Sequence, residues 1–191
     1  MIVIPPDEQD ATGHVADMYG ADVKTDGFVF AYTRALAINP EAHEAFEALI
    51  RAIVPSIGVR TYELATLGAA RGIRSQHCLL AHGRKTLRAD AMGEDQLLRV
   101  AVDYRDADLS PADVAVMAYA EKLSTDSAAM TDADSQVLRD VGFSDRQIVD
   151  ITLAAAARNY FSRAIQALAV PRDDVAGLSA ELVDALLSPT R

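Results

Sequence analysis

Three residues within one short stretch have the side chains that a thiol enzyme needs. Cys78 is the only cysteine of the chain, His82 follows it by four residues, and Glu63 precedes both. Residues four apart in a helix lie on the same face, so the imidazole is expected next to the thiol. In such a relay the carboxylate orients and charges the imidazole, and the imidazole takes the thiol proton. The combination predicts nucleophilic chemistry at Cys78.

A helix–turn–helix is predicted to position these side chains. Gly72 is typical of a helix end, and Ser75 is a good N-cap for a second helix from Gln76 to about Arg88. Glu63 and His82 are almost equally far from the turn. If the two helices are antiparallel, this pair should lie at similar height.

The position of Cys78 in the second helix also favours reactivity. Counting from Ser75, Cys78 is the third helical residue, inside the first turn. Unpaired backbone N–H groups and the positive end of the helix dipole lie there and favour a thiolate. A lone cysteine among apolar residues is otherwise more often a small core side chain.

At these residues the chain resembles a known family. The motif begins at Glu63 and continues, after eleven intervening residues, with Ser75-Gln76-His77-Cys78 and then His82. It is similar to the E-x11-C-x-x-C-x3-H signature of the AhpD-like alkylhydroperoxidases. These belong to the carboxymuconolactone decarboxylase superfamily. The similarity extends from Phe28 to Val170 and is greatest to the peroxidase-related subgroup. It implies an AhpD-like all-α domain that reduces small organic hydroperoxides.

The resemblance implies a role for each matched residue. Cys78 corresponds to the peroxidatic cysteine, His82 to the histidine of the proton relay, and Glu63 to the glutamate at its far end. His77 corresponds to a further family histidine, an accessory proton donor. Ser75 stands where the family has its second cysteine, so an internal disulfide cannot form. An external thiol or dithiol, or Cys78 of another subunit, is then needed as reductant.

The rest of the chain predicts helices throughout. Apolar residues recur at helical spacing after Asn39-Pro40 and Ser110-Pro111, and Ser144 with Gln147 forms a capping-box pattern before a long helical stretch. The sequence predicts a single all-α domain over residues 1–191, with 1–27 as a looser lead-in around a short helix near 11–19. A weak similarity between 67–73 and 154–160 suggests a duplicated helical hairpin.

Charge and composition restrict the partners. Eighteen basic against twenty-eight acidic residues give a formal charge of −10, which repels nucleic acid and anionic lipid. No long apolar segment predicts a membrane span, and no signal peptide is recognised, so a cytoplasmic location is expected. The resemblance implies a homo-oligomer, a dimer, trimer or hexamer. No cofactor is expected.

Three alternatives remain open from the sequence. A decarboxylase-like enzyme would use Glu63 and His82 as acid and base without the thiol. A non-catalytic helical protein would keep only the scaffold and bind a partner or small molecule. His77, Cys78 and His82 have metal-ligand side chains, but adjacent residues point to different helix faces, so no metal is predicted there. His14 and His43 are assigned no function.

Overall fold

The protein is all-α, as the sequence predicts. The structure is a computed structural model that describes residues 1–190. Within these residues there are nine α-helices and no strand: α1 Gly13–Asp26, α2 Ala31–Leu36, α3 Pro40–Gly72, α4 Gln76–Arg88, α5 Glu94–Asp103, α6 Pro111–Thr125, α7 Asp132–Asp140, α8 Asp145–Ala167 and α9 Ala180–Leu187. Over residues 1–190, no helix combines the length and the hydropathy that crossing a bilayer requires.

Helix α3 is the central element of the fold. It packs against α4, α6 and α8, and every residue from Tyr62 to Ala70 is buried. Its two halves meet at Gly58, whose φ of 77° is left-handed and interrupts the helical backbone. Glycine adopts this conformation without the steric cost that other residues incur. The buried second half of α3 holds Glu63.

Small residues bring α3 and α6 into close contact. A Cβ atom at Gly68 would lie 2.6 Å from the backbone oxygen of Met117, and one at Gly72 would lie 2.7 Å from that of Glu121. Both oxygens belong to α6, whose backbone is fixed by its own hydrogen bonds. The absence of a side chain at these two positions therefore lets the backbones of α3 and α6 approach closely.

The turn between α3 and α4 differs in detail from the prediction. Gly72 is the last helical residue, and the left-handed residue is Arg74, with φ 53°. The amide of Ser75 donates to the Ala70 carbonyl at 2.9 Å, which closes the helix end. Gly72 is therefore needed for contact with α6 and not for a left-handed turn. The predicted span of α4, Gln76–Arg88, is confirmed.

Helix α8 confirms one prediction and overturns another. Ser144 and Gln147 form the predicted capping box. Under the suggested duplication, the turn before Ser75 would recur before Ser162, but α8 continues without a break through Ser162 to Ala167. The second copy of a hairpin is therefore absent at that offset. The similarity reflects alanine-rich helices that both pack tightly in the core.

The N-terminal segment is more ordered than a loose lead-in. Helix α1 covers Gly13–Asp26 and is longer than the predicted 11–19. Met18 and Tyr19 on α1 form a small core with Val29 and Ala37 on either side of α2. Burial of these side chains extends the helix past Gly20, which by itself disfavours a helix interior. The helix ends at Gly27, with φ 81°.

The close contact between α3 and α6 makes a quantitative prediction. Gly68→Ala should lower the free energy of unfolding by about 1–3 kcal/mol, because the added methyl group meets backbone that cannot turn aside. Gly20→Ala is the matched control, since no atom lies within 4 Å of its Cβ and alanine is the better helix former. Urea denaturation monitored by circular dichroism measures both. Equal stability of the two variants would contradict the steric explanation.

Candidate active site

Glu63 and His82 form a buried hydrogen-bonded pair between α3 and α4. The distance between Glu63 Oε2 and His82 Nδ1 is 2.6 Å, and both side chains are almost fully buried. This confirms the expected placement of the two residues at similar height. The pairing follows from the local helix–turn–helix, whose two arms bring positions equally far from the turn together.

The protonation of the pair follows from its surroundings. Burial raises the pKa of Glu63, but the adjacent His82 more than offsets this, so the pKa of Glu63 lies below its usual value. Burial and the nearby Arg158 guanidinium lower the pKa of His82 well below its usual value, against the opposing effect of Glu63. At neutral pH a carboxylate therefore faces a neutral imidazole. Since a carboxylate only accepts, His82 Nδ1 carries the proton and Nε2 has a free lone pair.

The thiol of Cys78 contacts two residues of α8. Its Sγ lies 2.9 Å from Ser162 Oγ and 3.5 Å from Arg158 Nη1, and only 2% of the cysteine is exposed. Over residues 1–190, no hydrogen bond joins Cys78 to His82. His82 lies one turn along the same helix and lines the same cavity, but the predicted relay has no direct hydrogen bond between thiol and imidazole.

Arg158 is a buried cation without a carboxylate partner. No acidic oxygen lies within 4.0 Å of its guanidinium among the described residues; its polar neighbours are Cys78 Sγ and the hydroxyl of Tyr62, 3.5 Å from Nη2. Its Nε has no partner, and the guanidinium lies 5.1 Å from the ring centre of Phe161. Burial opposes the charge, but the negative potential of Cys78 and Tyr62 outweighs it and raises the pKa of Arg158. The guanidinium is thus placed directly beside the sulfur of Cys78.

A cavity of about 320 Å³ opens onto these groups. Cys78, His82, Arg158 and Tyr62 lie in its wall, together with His77 and the exposed Lys85. The other lining residues come from α1, the segment around α2, and α3: Met18, Ala21, Asp22, Tyr32, Thr33, His43, Phe46, Glu47, Ile50 and Arg51, with Ala81 and Phe161 completing the wall. A small organic molecule fits this volume and meets sulfur, imidazole and guanidinium at once.

Ser75 does not have the side-chain interactions that were expected. It is the N-cap residue of α4, as predicted, but its hydroxyl makes no capping hydrogen bond and does not contact Cys78. The Oγ atom is buried and has no hydrogen-bond partner within residues 1–190. The hydroxyl at the position matched to the second family cysteine therefore does not stabilise the turn through a hydrogen bond.

His77 is directed away from the thiol. Its Nε2 donates to the backbone oxygen of Pro171 at 3.0 Å. His77, Cys78 and His82 do not form a group of metal-ligand atoms within 4.8 Å of one another; among residues 1–190 such a group is found instead at His14, His43 and Glu47. His77 still lines the cavity, and its role as an accessory proton donor stays a prediction.

Two residues that contact the thiol, Ser162 and Arg158, were not predicted as part of the site. Both lie on α8, about eighty residues along the chain, and reach Cys78 only because α8 packs against α3. The only sequence feature that sets Arg158 apart is its position as a charged residue directly after four alanines, Ala154 to Ala157.

Comparison with known proteins gives a clear result for the fold alone. No family model and no curated protein sequence matches the chain. Among solved structures, a peroxidase-related protein with an alkylhydroperoxidase AhpD core from Ralstonia eutropha JMP134 matches with TM-score 0.72 and 23% identity, over 98% of this chain and 96% of the other. The chain has the AhpD-like fold. The predicted AhpD-like all-α architecture is thereby confirmed.

Two further solved structures share this fold. An uncharacterized peroxidase-related protein from Silicibacter sp. TM1040 matches with TM-score 0.77 and 23% identity, over 93% of this chain and 99% of the other. A cysteine-to-alanine variant of the debrominase Bmp8, in complex with 2,3,4-tribromopyrrole, matches with TM-score 0.77 and 16% identity, over 99% and 97%. This fold thus occurs in peroxidase-related proteins and in a debrominase.

The buried pair makes stability depend on pH in a defined direction. The pKa of His82 is lower in the folded protein than in the unfolded chain, so acid favours unfolding as the pH falls below about 6.5. Replacing the imidazole with the non-titrating amide in His82→Gln should flatten the dependence of unfolding free energy on pH between 7 and 5. The change in slope should approach about 1.4 kcal/mol per pH unit.

Urea titrations at several pH values measure these slopes. Gly68→Ala is the control, because it lowers stability without removing a titrating group, and its slope should equal that of the wild type. Parallel curves for His82→Gln and the wild type would show that His82 is not held neutral by the fold.

Proposed function

We propose that the protein is a thiol-dependent peroxidase-like oxidoreductase that reduces small organic hydroperoxides through Cys78. The observation that carries the proposal is a buried thiol, in the wall of a cavity, beside a guanidinium that has no carboxylate partner. A structural cysteine gains nothing from a buried cation next to it, whereas a cation at this distance stabilises a nucleophilic thiolate. The AhpD-like fold, which peroxidase-related proteins also have, supports the same proposal.

The first step forms a sulfur–oxygen bond. The Cys78 thiolate, stabilised by Arg158 and by the hydroxyl of Ser162, attacks the terminal oxygen of the hydroperoxide. The O–O bond breaks, the sulfur is oxidised to a sulfenic acid, and the alkoxide leaves. With its proton returned, the alkoxide becomes an alcohol, so thiol and hydroperoxide give sulfenic acid and alcohol.

His82, oriented by Glu63, transfers the proton in this step. The free lone pair at His82 Nε2 takes the thiol proton, and the resulting cation returns it to the alkoxide. The Glu63 carboxylate accepts from Nδ1 at 2.6 Å, which fixes the tautomer and stabilises the imidazolium while it exists. Since no hydrogen bond joins His82 to Sγ within residues 1–190, the transfer passes through a molecule in the cavity, either water or the hydroperoxide itself.

Regeneration needs thiols from outside the chain. The sulfenic acid of Cys78 and two molecules of an external thiol give the free thiol, a disulfide and water. Ser75 cannot replace that external thiol. Self-association and a cytoplasmic location remain predictions that accompany this proposal.

The direct test is intact mass after brief exposure to an organic hydroperoxide and a sulfenic-acid trap. Wild type should gain the trap adduct, Cys78→Ala should not, and His82→Ala should react more slowly. Arg158→Met should slow alkylation of Cys78 at pH 7 by roughly tenfold or more, because the cation beside the thiolate is lost. Arg158→Lys is the matched control that keeps the charge.

Other outcomes of this test support the alternatives. A wild-type thiol that stays reduced and alkylates slowly would make Cys78 structural. If an activity on a carbon acid or lactone then required Glu63 and His82 but not Cys78, the decarboxylase-like alternative would hold. If all variants bound a small molecule equally without reaction, the protein would be a non-catalytic binder.

Restoring the second cysteine should convert the site to internal turnover. In Ser75→Cys, hydroperoxide treatment should give a disulfide between positions 75 and 78, seen as a loss of about 2 Da in intact mass and reversed by a dithiol. The substitution leaves no partner unpaired, because the Ser75 hydroxyl makes no hydrogen bond. Persistence of a trappable sulfenic acid in this variant would contradict the assigned correspondence.

Reductive debromination is a second candidate. The debrominase neighbour has the same fold, and the cavity combines aromatic rings, Tyr32, Phe46 and Phe161, with the thiol and the Arg158 cation. Here sulfur takes the bromine, the ring carbon takes a proton, and an external thiol then releases bromide and leaves a disulfide. Incubation with 2,3,4-tribromopyrrole and excess thiol, with bromide release as the measurement, separates the two candidates.

A further inference from the structure

A cluster of potential metal ligands lies outside the thiol site. His14 is on α1, and His43 and Glu47 are four residues apart on one face of α3. All three side chains are half-buried, and their ligand atoms lie within 4.8 Å of one another. His14 could not be connected with the other two from sequence alone, because α2 and two loops separate them.

The spacing of these atoms fits tetrahedral zinc. His14 Nε2 lies 3.4 Å from His43 Nδ1, and His43 Nδ1 lies 4.0 Å from Glu47 Oε2. Zinc bonds of about 2.0–2.1 Å at tetrahedral angles separate ligand atoms by roughly 3.3–3.4 Å. The two nitrogens already have that separation, and a small rotation of Glu47 supplies the third ligand. Octahedral iron with two histidines and one carboxylate needs a shorter spacing of about 3.0 Å.

The charges around the cluster also suit a cation. The Glu47 carboxylate brings one negative charge to the two imidazoles, which are the ligand types that zinc accepts. Glu47 has one competing partner, Arg51, at 3.6 Å, but that arginine is 64% exposed. An exposed ion pair of this kind is weak, and the side chain of Arg51 can turn into solvent.

We propose that His14, His43 and Glu47 bind one zinc ion, with a fourth coordination position open to water or a small ligand. Zinc joins α1 to α3 at this point. His43 and Glu47 also line the cavity that contains Cys78, so the ion lies in the wall of the same cavity. The zinc site does not depend on the proposed thiol chemistry, and the two proposals can be tested separately.

The test uses the tag-free chain, with Co²⁺ as a spectroscopic probe and Zn²⁺ in isothermal titration calorimetry. Wild type should bind one ion per chain, and the Co²⁺ form should show the intense visible bands of tetrahedral coordination. His14→Ala and His43→Ala should weaken binding by at least tenfold, since even residues behind the ligands change affinity by about 10–100-fold. Zinc should also raise the unfolding temperature of the wild type and not that of His14→Ala.

Control variants make the assignment specific. Cys78→Ser and His77→Gln each remove one further potential ligand in the cavity wall and should bind zinc as tightly as the wild type. If His14→Ala does not fold, Glu47→Gln tests the same site by weakening a different ligand. The proposal is overturned if wild type shows no saturable binding below millimolar zinc. It is equally overturned if binding depends on Cys78 or His77 while the His14 and Glu47 variants bind normally.

Discussion

A charged guanidinium in a protein interior constrains everything around it. Removing a cation from water costs several kcal/mol unless nearby groups compensate, and Arg158 has no carboxylate within reach in residues 1–190. The sulfur of Cys78, the hydroxyl of Tyr62 and the ring of Phe161 surround it instead. The same cation helps to lower the pKa of His82, which keeps that imidazole neutral beside an ionised Glu63. Burial and this charge together therefore keep the imidazole of His82 neutral.

Three helices must keep fixed positions for this arrangement to exist. Helix α3 supplies Glu63, α4 supplies Cys78 and His82, and α8 supplies Arg158. Close contact of α3 with α6 at Gly68 fixes the helix that the other two pack against. The geometry of the site therefore depends on the close approach of two helix backbones at Gly68, a residue outside the site.

The sequence predicted the local part of this site and not the distant part. Glu63 and His82 could be paired because one short turn joins their helices, and counting residues from that turn gives their relative height. Arg158 and Ser162 reach Cys78 through the packing of α8, and periodicity identifies the buried face of a helix but not its partner. The hydroxyl of Ser75 was expected to form a cap; whether it does so depends on a side-chain rotamer that sequence does not encode. The extent of α1 was underestimated because burial of Met18 and Tyr19 overrides the low helix propensity of Gly20.

The wall of the cavity is built from three separate parts of the chain. Cys78 and His82 come from α4 and Arg158 comes from α8, whereas much of the remaining surface comes from residues 18–51. The groups around the thiol and the surface that faces them are therefore encoded in different stretches of sequence. Substitutions in the N-terminal third can change the shape of the cavity while Cys78, His82 and Arg158 stay in place. In a scaffold organised in this way, the shape of the cavity can diversify during evolution independently of the groups around the thiol.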